Sequence, residues 1–585
     1  MSSLSPEVQA VQNWLNGFNS ALQSGSSLEP LFDPDAYWSD VLALDWKIKT
    51  FSGAYNISTA ILSAVNASGF KNLRLDVNAT DPRQVTRAGV QAVEAFLLFD
   101  TSAGHGRGVL RLKTNSTGTP AQTAWTLLTA LQELTGHEEK VGSNRPTGQV
   151  HSRDFREPNW LDQRKQTAAF KDRQPTVLVI GAGQAGLSIA ARLTQLVVDT
   201  LLIEKNRRIG DNWRNRYHAL TLHNQVYANH LPYMPFPPNW PTYIPKDKLA
   251  NWLEAYAESM ELNVWTESEL QQARYLDDEK QWSTTVRLPD GNTRQLKPKH
   301  IVMATSISGI PNLPDIPELS QYNGEVIHAS AYRDGEDHSG KSVLVFGAGN
   351  SGHDIAQDLV SSGASVTMIQ RGTTMIINIE PGAQLPYALY HEGPNLDECD
   401  LITTAMPFPL MRESHVGFTA TAKEQDWPLL EKLEQRGMKL VYGPDDTGWQ
   451  FKYLTRGGGY YFNVGASDMI ADGRIGLVQY DSITHFTETG IKLSQGQKLD
   501  ADLIVLATGY RGMSAEIERT FGSDVADKVG QIWGFSDDML ALRNMYCRTS
   551  QPGLWFMAGS FAQCRINSKY LALQIKAWEE GLMQT

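Results

Sequence analysis

Several features that whole classes of protein require are scarce or missing in this 585-residue sequence. It contains only three cysteines, Cys399, Cys547 and Cys564, and no Cys-x-x-Cys pair, which excludes a disulfide framework, a zinc ribbon and a dithiol redox centre. Its 52 Lys and Arg are outnumbered by 64 Asp and Glu, and no basic block stands out, so the composition disfavours nucleic-acid binding. No apolar run reaches the roughly 20 residues of a membrane span.

The start of the chain is polar and lacks the basic and apolar regions of a secretory signal peptide. Together with the few cysteines, this predicts an unprocessed cytoplasmic protein without a membrane span. The length indicates three or four domains at roughly 150 residues each.

Residues 1–140 are predicted to form a small α+β domain. Five apolar residues between Val8 and Phe18 recur at helical spacing, and residues 95–114 contain two apolar runs around a glycine-rich turn. This order, together with the string WSDVLALDWKIKTFSG, resembles the SnoaL-like cone fold. Residues 141–174 are polar with little periodicity and are interpreted as a linker.

A first dinucleotide-binding motif begins at Gly181. The buried-strand pattern of residues 177–180 is followed by Gly181, Gly183 and Gly186 in the G-x-G-x-x-G spacing, with Gln184 and Ala185 between them. These glycines allow a tight turn, close approach to a pyrophosphate, and packing of helix against strand. Glu204 ends the next strand, where a carboxylate can bind a ribose hydroxyl.

A second motif of the same kind begins at Gly347. It contains Gly347, Gly349 and Gly352, with Asn350 and Ser351 opening the helix. The next strand ends in Gln370 and Arg371 where the first unit has Glu204. Because a guanidinium can bind a ribose 2′-phosphate that an acid would repel, this unit is predicted to prefer NADPH, and the first unit to bind FAD.

The motifs around these two units resemble those of flavin-containing monooxygenases, most closely the YUCCA-type branch and its fungal or bacterial relatives. Tyr322, Gly324, His328 and Tyr332 resemble the family fingerprint F-x-G-x-x-x-H-x-x-x-[Y/F], with Tyr322 in the place of its Phe. The likeness extends over residues 175–585. The segments that carry it are GDNWRNRY (residues 210–217, with Asn212, Trp213 and Arg216 as flavin contacts), LPYMPFPPNWPTY (231–243) and LIVLATGY (503–510).

The resemblance implies an α/β fold of two Rossmann-like domains. We expect an FAD-binding domain made of residues 175–332 and 481–585. An NADPH-binding domain, residues 333–480, interrupts it and contains an insertion of its own. His223 and Asn224 stand where animal-type members place an active-site Asn-Thr pair. It stays open which of these two residues orients the cofactors. Tyr332-Arg333 replaces the Trp-Pro of type I Baeyer-Villiger enzymes, which disfavours that subclass.

Three further residues are candidates for the site. His328 is a candidate for direct chemistry, or it hydrogen-bonds the backbone between domains. Thr508 and Gly509 end a strand where such domains return to the flavin. The aromatic residues of segments 457–465 and 553–561 are predicted either to line a cleft that excludes water or to pack in the core. Residues 385–455 either shape substrate access or only cover the sheet.

The predicted function is that of an NADPH- and FAD-dependent monooxygenase. The family likeness implies a flavin hydroperoxide that oxygenates a small organic substrate by N- or S-oxidation or by oxidative decarboxylation of a 2-oxo acid. One alternative is an NADPH:acceptor oxidoreductase or oxidase, and another is a ligand-binding or scaffold protein with a vestigial flavin site. The expected partners are the substrate and O₂, without nucleic acid or metal, and a homodimer is a further hypothesis.

Overall fold

The computed structural model describes residues 4–116, 118–147, 156–538 and 540–583. Within these ranges no helix combines the length and the apolar character that crossing a bilayer requires. The fold is mixed α/β, with an amino-terminal sheet followed by two five-stranded parallel sheets. The predicted fold class of two dinucleotide-binding units behind a smaller α+β unit is therefore confirmed.

The amino-terminal unit is built around one seven-stranded mixed sheet. Its strand order is β2-β1-β7-β6-β5-β3, and β4 pairs with β5. The predicted first helix is present, because Val11, Trp14, Leu15 and Phe18 form its buried face. The elements are α1 Pro6–Ser24, β1 Phe32–Val41, β2 Ile48–Ser52, α2 Ala54–Ser68, β3 Lys71–Leu75, β4 Arg83–Arg87, β5 Val90–Asp100, β6 Gly104–Thr114 and β7 Pro120–Leu134.

The two faces of this sheet are buried against different partners, since successive side chains of a strand point to opposite faces. Val93, Ala95 and Leu97 of β5 share a core with α1 and α2. On the other face Phe96 and Val109 join the core of the first nucleotide-binding unit. The amino-terminal unit is thus fused to the rest of the molecule by a continuous core. Its likeness to the SnoaL-like fold remains a prediction.

The predicted linker has structure of its own. It contains α3, Trp160–Ala169, which begins with a capping box formed by Asn159 and Asp162. Phe170 then ends the helix with a fully buried side chain. Residues 148–155 of the linker lie outside the described part of the chain. Its polar composition concealed the helix, because α3 itself buries none of its residues.

The first nucleotide-binding unit contains a parallel sheet of order β10-β9-β8-β14-β27, with a three-stranded antiparallel sheet β11-β12-β13 beside it. Helix α14 returns from the end of the chain to pack on α4. The elements are β8 Val177–Ile180, α4 Gln184–Gln195, β9 Thr200–Ile203, α5 Asp211–Arg214, α6 Lys246–Ser259, β10 Val264–Trp265, β11 Glu269–Leu276, β12 Gln281–Arg287, β13 Thr293–Leu296, β14 His300–Met303, α12 Met513–Phe521, α13 Ser523–Val529, β27 Leu554–Phe556 and α14 Phe561–Glu579.

The second unit contains a parallel sheet of order β16-β25-β17-β18-β21. Two short strands, β15 and β26, pair antiparallel where the chain passes between the units. The elements are β15 Ile310–Pro311, β16 Glu325–His328, β17 Ser342–Phe346, α7 Asn350–Ser361, β18 Ser365–Gln370, β19 Met375–Asn378, α8 Leu396–Thr404, α9 Phe408–Gln435, α10 Gly448–Arg456, β20 Tyr460–Asn463, α11 Ala466–Ala471, β21 Ile475–Gln479, β22 Ile483–Thr487, β23 Gly490–Leu493, β24 Lys498–Asp500, β25 Leu503–Leu506 and β26 Tyr510–Arg511.

The predicted boundaries at 332/333 and 480/481 are wrong. Strands β16 and β25 pair with each other and lie in the second sheet, so this unit extends from about residue 325 to about 511. Both are four-residue buried strands, and such short apolar runs carry no local signal for the sheet that they join.

The second unit contains an insertion that the structure places at residues 382–456, up to the end of α10. This insertion is anchored to the amino-terminal unit. Fully buried Arg111 of β6 donates to Glu94 Oε2 (2.9 Å) and to the backbone oxygen of Ala405 after α8 (2.7 Å). Arg87 lies between two carboxylates, 2.9 Å from Glu94 and 2.7 Å from Glu392 of the insertion. These two arginines hold α8 and the segment before it against the amino-terminal sheet.

Candidate active site between two glycine cradles

The first glycine cradle, formed by Gly181, Gly183 and Gly186, has no room for a side chain at Gly181 or Gly186. A Cβ added to Gly186 would lie 1.8 Å from the backbone oxygen of Gly181, and one on Gly181 would lie 2.9 Å from that of Ala304. Gly181 also has φ +100°, which disfavours a side chain. Gly183 is the N-cap of α4, so the turn presents the helix amino terminus, where a pyrophosphate can bind.

Glu204 lies beside this turn as predicted. Its side chain is buried, and its Oε2 accepts from the backbone N–H of Ala182 at 2.9 Å. Its other oxygen accepts from the N–H and the side-chain amide of Asn206. These bonds hold the carboxylate at the end of β9, in the place of a ribose acceptor. Asn212 lies on the opposite side of the turn, with Nδ2 3.3 Å from the Cβ position of Gly183.

The second cradle repeats this geometry. A Cβ on Gly352 would lie 2.0 Å from the backbone oxygen of Gly347, which has φ +118°. Gly349 is the N-cap of α7. The Asn350 side chain accepts from the backbone N–H of Phe462 at 3.0 Å, so it joins α7 to β20. Both cradles thus have the shape that a dinucleotide requires.

Gln370 and Arg371 have separate roles. The Gln370 side chain is fully buried and exchanges two hydrogen bonds with the backbone of Lys439, both 2.9 Å long. Arg371 is exposed at the rim of a large cavity, and it forms no ion pair with any described residue. Its guanidinium therefore lies free at the strand end that recognises the ribose in such units.

Arg371→Glu is expected to raise the KM for NADPH about 10- to 100-fold and to change that for NADH far less, because a phosphate contact becomes a repulsion. Steady-state kinetics with both nucleotides measures this difference. The exposed Arg274 of β11, away from the cavity, gives the control Arg274→Glu. Equal losses with the two nucleotides would refute the assignment of Arg371.

One cavity of about 1000 Å³ lies between the two cradles. Most of the predicted site residues border it: Gln184, Trp213, Arg216, His223, Asn224, His328, Gly347, Gly349, Asn350, Ser351, Arg371, Thr508 and Gly509. The others do not border it: Gly181, Gly183, Ala185, Gly186, Glu204, Asn212 and Gly352. Such an arrangement would let two bound dinucleotides meet in one cavity.

Trp213 provides an independent indication that the first cradle holds a ligand. Its side chain borders the cavity and its indole N–H is buried without a hydrogen-bond partner among the described residues. A buried polar group of this kind is costly unless a bound molecule satisfies it. The residues present therefore fit a dinucleotide cofactor.

His223 and Asn224 lie together on the cavity wall. Asn224 Nδ2 donates to the hydroxyl of Tyr387 at 3.0 Å, while the His223 ring meets the Phe462 ring at 5.3 Å. Burial lowers the pKa of His223, and the charge of the nearby Asp354 opposes this shift. A neutral imidazole at this place can give or accept a hydrogen bond without adding charge.

His328 holds the crossing between the units. Its Nδ1 accepts from the backbone N–H of Ser330 (3.1 Å), and its Nε2 lies 3.1 Å from the backbone oxygen of Gly509. Thr508 donates to the backbone oxygen of Asn312 at 2.6 Å, across the β15–β26 pair. With both ring nitrogens engaged, His328 fits the backbone-bonding interpretation better than direct chemistry.

Two groups of functional residues were missed by the sequence prediction. Tyr217 of the first unit donates to Asp354 of the second (2.5 Å) and joins the two cradles. Burial raises the pKa of that carboxyl group. Thr86, Arg87 and Ala88 of the amino-terminal unit also border the cavity. Tyr217 ends the segment GDNWRNRY, but neither its pairing with Asp354 nor the position of residues 86–88 can be read from the sequence, because both depend on contacts between distant segments.

The aromatic runs divide between wall and core. Tyr460 and Phe462 border the cavity, whereas Tyr461 is buried in the core of the second unit. In the later run Phe561 borders the cavity, and Trp555 and Phe556 pack in the core of the first unit.

The three cysteines are unpaired, and two of them, Cys399 and Cys564, are buried.

Two solved structures share this fold over most of their length. Cyclohexanone monooxygenase bound to ε-caprolactone superimposes with a TM-score of 0.51 at 17% identity, over 70% of this chain and 88% of that one. OTEMO in complex with FAD and NADP gives a TM-score of 0.51 at 16% identity, over 70% and 87%. At such identities the likeness concerns the fold alone.

The sequence comparisons are more specific. The family model described as pyridine nucleotide-disulphide oxidoreductase matches residues 178–385. The indole-3-pyruvate monooxygenase YUCCA1 of Oryza sativa subsp. japonica is 31% identical over 58% of this chain and 77% of its own length. The chain therefore belongs to the flavin-dependent monooxygenase family that includes the YUCCA proteins, which confirms the predicted resemblance.

Proposed function

We propose that this protein uses NADPH, FAD and dioxygen to insert one oxygen atom into a small organic molecule that carries an aromatic ring. The observation that carries the proposal is a single cavity that borders the second glycine cradle directly, meets the first unit at Gln184 and Trp213, and is lined by aromatic side chains of the insertion. Family membership supports the oxygenation chemistry.

Bound FAD supplies the redox chemistry, accepting a hydride from NADPH and activating dioxygen. The protein's own groups provide position and shelter. Arg371 is assigned to the 2′-phosphate and Glu204 to the FAD ribose. His223 and Asn224 are assigned to hydrogen bonds with the reacting rings, and the aromatic walls keep water away from them.

An aromatic 2-oxo acid is the first substrate class that we propose, because the relative from rice is named for indole-3-pyruvate. Oxidative decarboxylation would convert the 2-oxo acid, O₂, NADPH and a proton into the shortened carboxylate, CO₂, water and NADP⁺. N- or S-oxidation of an uncharged aromatic molecule is the second candidate. The observation that favours it is that Glu392, the one charged cavity residue among the described residues of the insertion, is already paired with Arg87 of the amino-terminal unit.

The purified FAD-loaded protein is expected to incorporate one ¹⁸O atom from ¹⁸O₂ into product for each NADPH consumed. Indole-3-pyruvate and phenylpyruvate represent the first class, and thioanisole and N,N-dimethylaniline the second. Mass spectrometry of the products and a hydrogen peroxide assay measure the coupling. NADPH consumption that ends entirely in hydrogen peroxide with every compound would support the oxidase alternative and contradict the proposal.

We also propose that the amino-terminal unit acts as a wall of this cavity. The support is the position of Thr86, Arg87 and Ala88 at the cavity and the apolar contact of Ala92 and Trp125 with Leu410 of α9. This role does not depend on dimer formation.

A further inference from the structure

One end of the cavity is walled by residues that belong to neither glycine cradle. Helix α9 directs Met411, Ser414, His415 and Phe418 toward it, at the spacing of one helical face. Helix α10 contributes Trp449, Gln450 and Tyr453. We call the space bounded by these seven residues and Tyr387 the aromatic chamber.

The aromatic chamber adjoins the predicted reaction centre. Tyr387 is hydrogen-bonded to Asn224, as described above. The Trp449 ring meets Phe462 edge to face at 4.9 Å, and Phe462 in turn contacts His223. A planar molecule lying against Trp449 would therefore reach the residues assigned to the reacting rings.

Two polar side chains of the chamber lack partners. His415 is only 5% exposed, its ring meets the edges of Phe418 and Phe451 at 5.5 and 5.6 Å, and it forms no hydrogen bond with any described residue. Burial lowers its pKa to about 4, so the imidazole is neutral near pH 7, with one donor and one acceptor. Gln450 Oε1 is buried and likewise has no partner among the described residues.

An unsatisfied buried acceptor destabilises the protein without its ligand, so a ligand that donates a hydrogen bond there is favoured over one that cannot. The chamber's charged neighbours, Arg87 and Glu392, are already paired with each other. Its walls therefore favour an uncharged planar ring system, and the unpartnered Gln450 Oε1 favours a ring substituent that can donate a hydrogen bond.

We propose that Gln450 and His415 form a specificity subsite that accepts the N–H or O–H donor of an uncharged aromatic ring in the substrate. The inference rests on the proposed function, because it places the ring of the molecule to be oxygenated. It concerns ring recognition and leaves open the group that reacts.

Ligand binding to the oxidised FAD-loaded protein without NADPH tests the subsite. Indole and benzothiophene are suitable probes, because they are planar bicycles of similar size and only indole has a ring N–H. Gln450→Leu and His415→Phe are each expected to raise the Kd of indole about 10-fold, the loss of one hydrogen bond, while that of benzothiophene stays within about twofold. Isothermal titration calorimetry measures both.

Gln357→Leu is the matched control, because Gln357 also has a buried, unpartnered Oε1 but does not border the cavity. Equal losses for indole and benzothiophene in the two subsite variants, or no binding of either probe to the wild-type protein, would overturn the proposal. Selective indole binding by a protein that produced only hydrogen peroxide would contradict the proposed function and leave the subsite standing.

Discussion

Gly186→Ala is expected to yield protein that purifies almost without FAD. The new Cβ would lie 1.8 Å from the backbone oxygen of Gly181, so the turn that receives the pyrophosphate must move. A displacement costing about 3 kcal/mol lowers FAD affinity roughly 100-fold. The ratio of flavin to protein absorbance after purification, and titration of the apoprotein with FAD, measure the loss.

Gly352→Ala provides the complementary result. Its Cβ would collide in the same way with Gly347, at 2.0 Å, but in the other cradle. This variant is expected to remain yellow, to be reduced by dithionite, and to lose reduction by NADPH. Gly417→Ala on α9, where a Cβ meets nothing within 4 Å, is the control for the substitution itself. If Gly352→Ala instead lost its flavin while Gly186→Ala kept it, the cofactor assignment would be reversed.

Arg111→Met is expected to lower the free energy of unfolding by about 3–5 kcal/mol and to divert more NADPH to hydrogen peroxide. The variant leaves the backbone oxygen of Ala405 without its donor and removes one cation from the buried Glu94. The corner between α8 and α9 then loosens, and water reaches the cavity. Denaturant unfolding and the ratio of peroxide to NADPH measure the two effects.

Arg111→Lys retains the charge and is expected to restore part of both properties. Arg74→Met is the matched control, since Arg74 forms an exposed ion pair with Asp100 in the same unit. Exposed pairs contribute about 0–1 kcal/mol, so this variant should resemble the wild type. An Arg111→Met protein with normal stability and normal coupling would show that the contact has no bearing on the cavity.

The nucleotide cradles could be predicted from the sequence because their function depends on local geometry. Gly186 and Gly352 are required by contacts within five residues along the chain, and the spacing of the motif records that requirement. Glu204 and Arg371 could be predicted for the same reason, because each directly follows the strand that comes next after its glycine motif.

The remainder of the site depends on contacts between distant residues. Asp354 meets Tyr217 across 137 residues, and Arg111 meets Ala405 across 294 residues. The sequence alone does not show whether an arginine in a strand is buried or exposed to solvent, because only its contacts in the folded protein distinguish the two. The wrong domain boundaries near β16 and β25 have the same origin, because the sheet that each strand joins depends on pairing with distant residues.

The amino-terminal unit is joined to both nucleotide-binding units at once. Arg111 and Arg87 tie it to the insertion of the second unit. Glu139 accepts a hydrogen bond from Tyr233, and Gln132 one from Lys569, both in the first unit. A hinge motion that swung the two nucleotide-binding units apart would have to break these bonds, so we expect NADP⁺ to be exchanged without a wide separation of the two units.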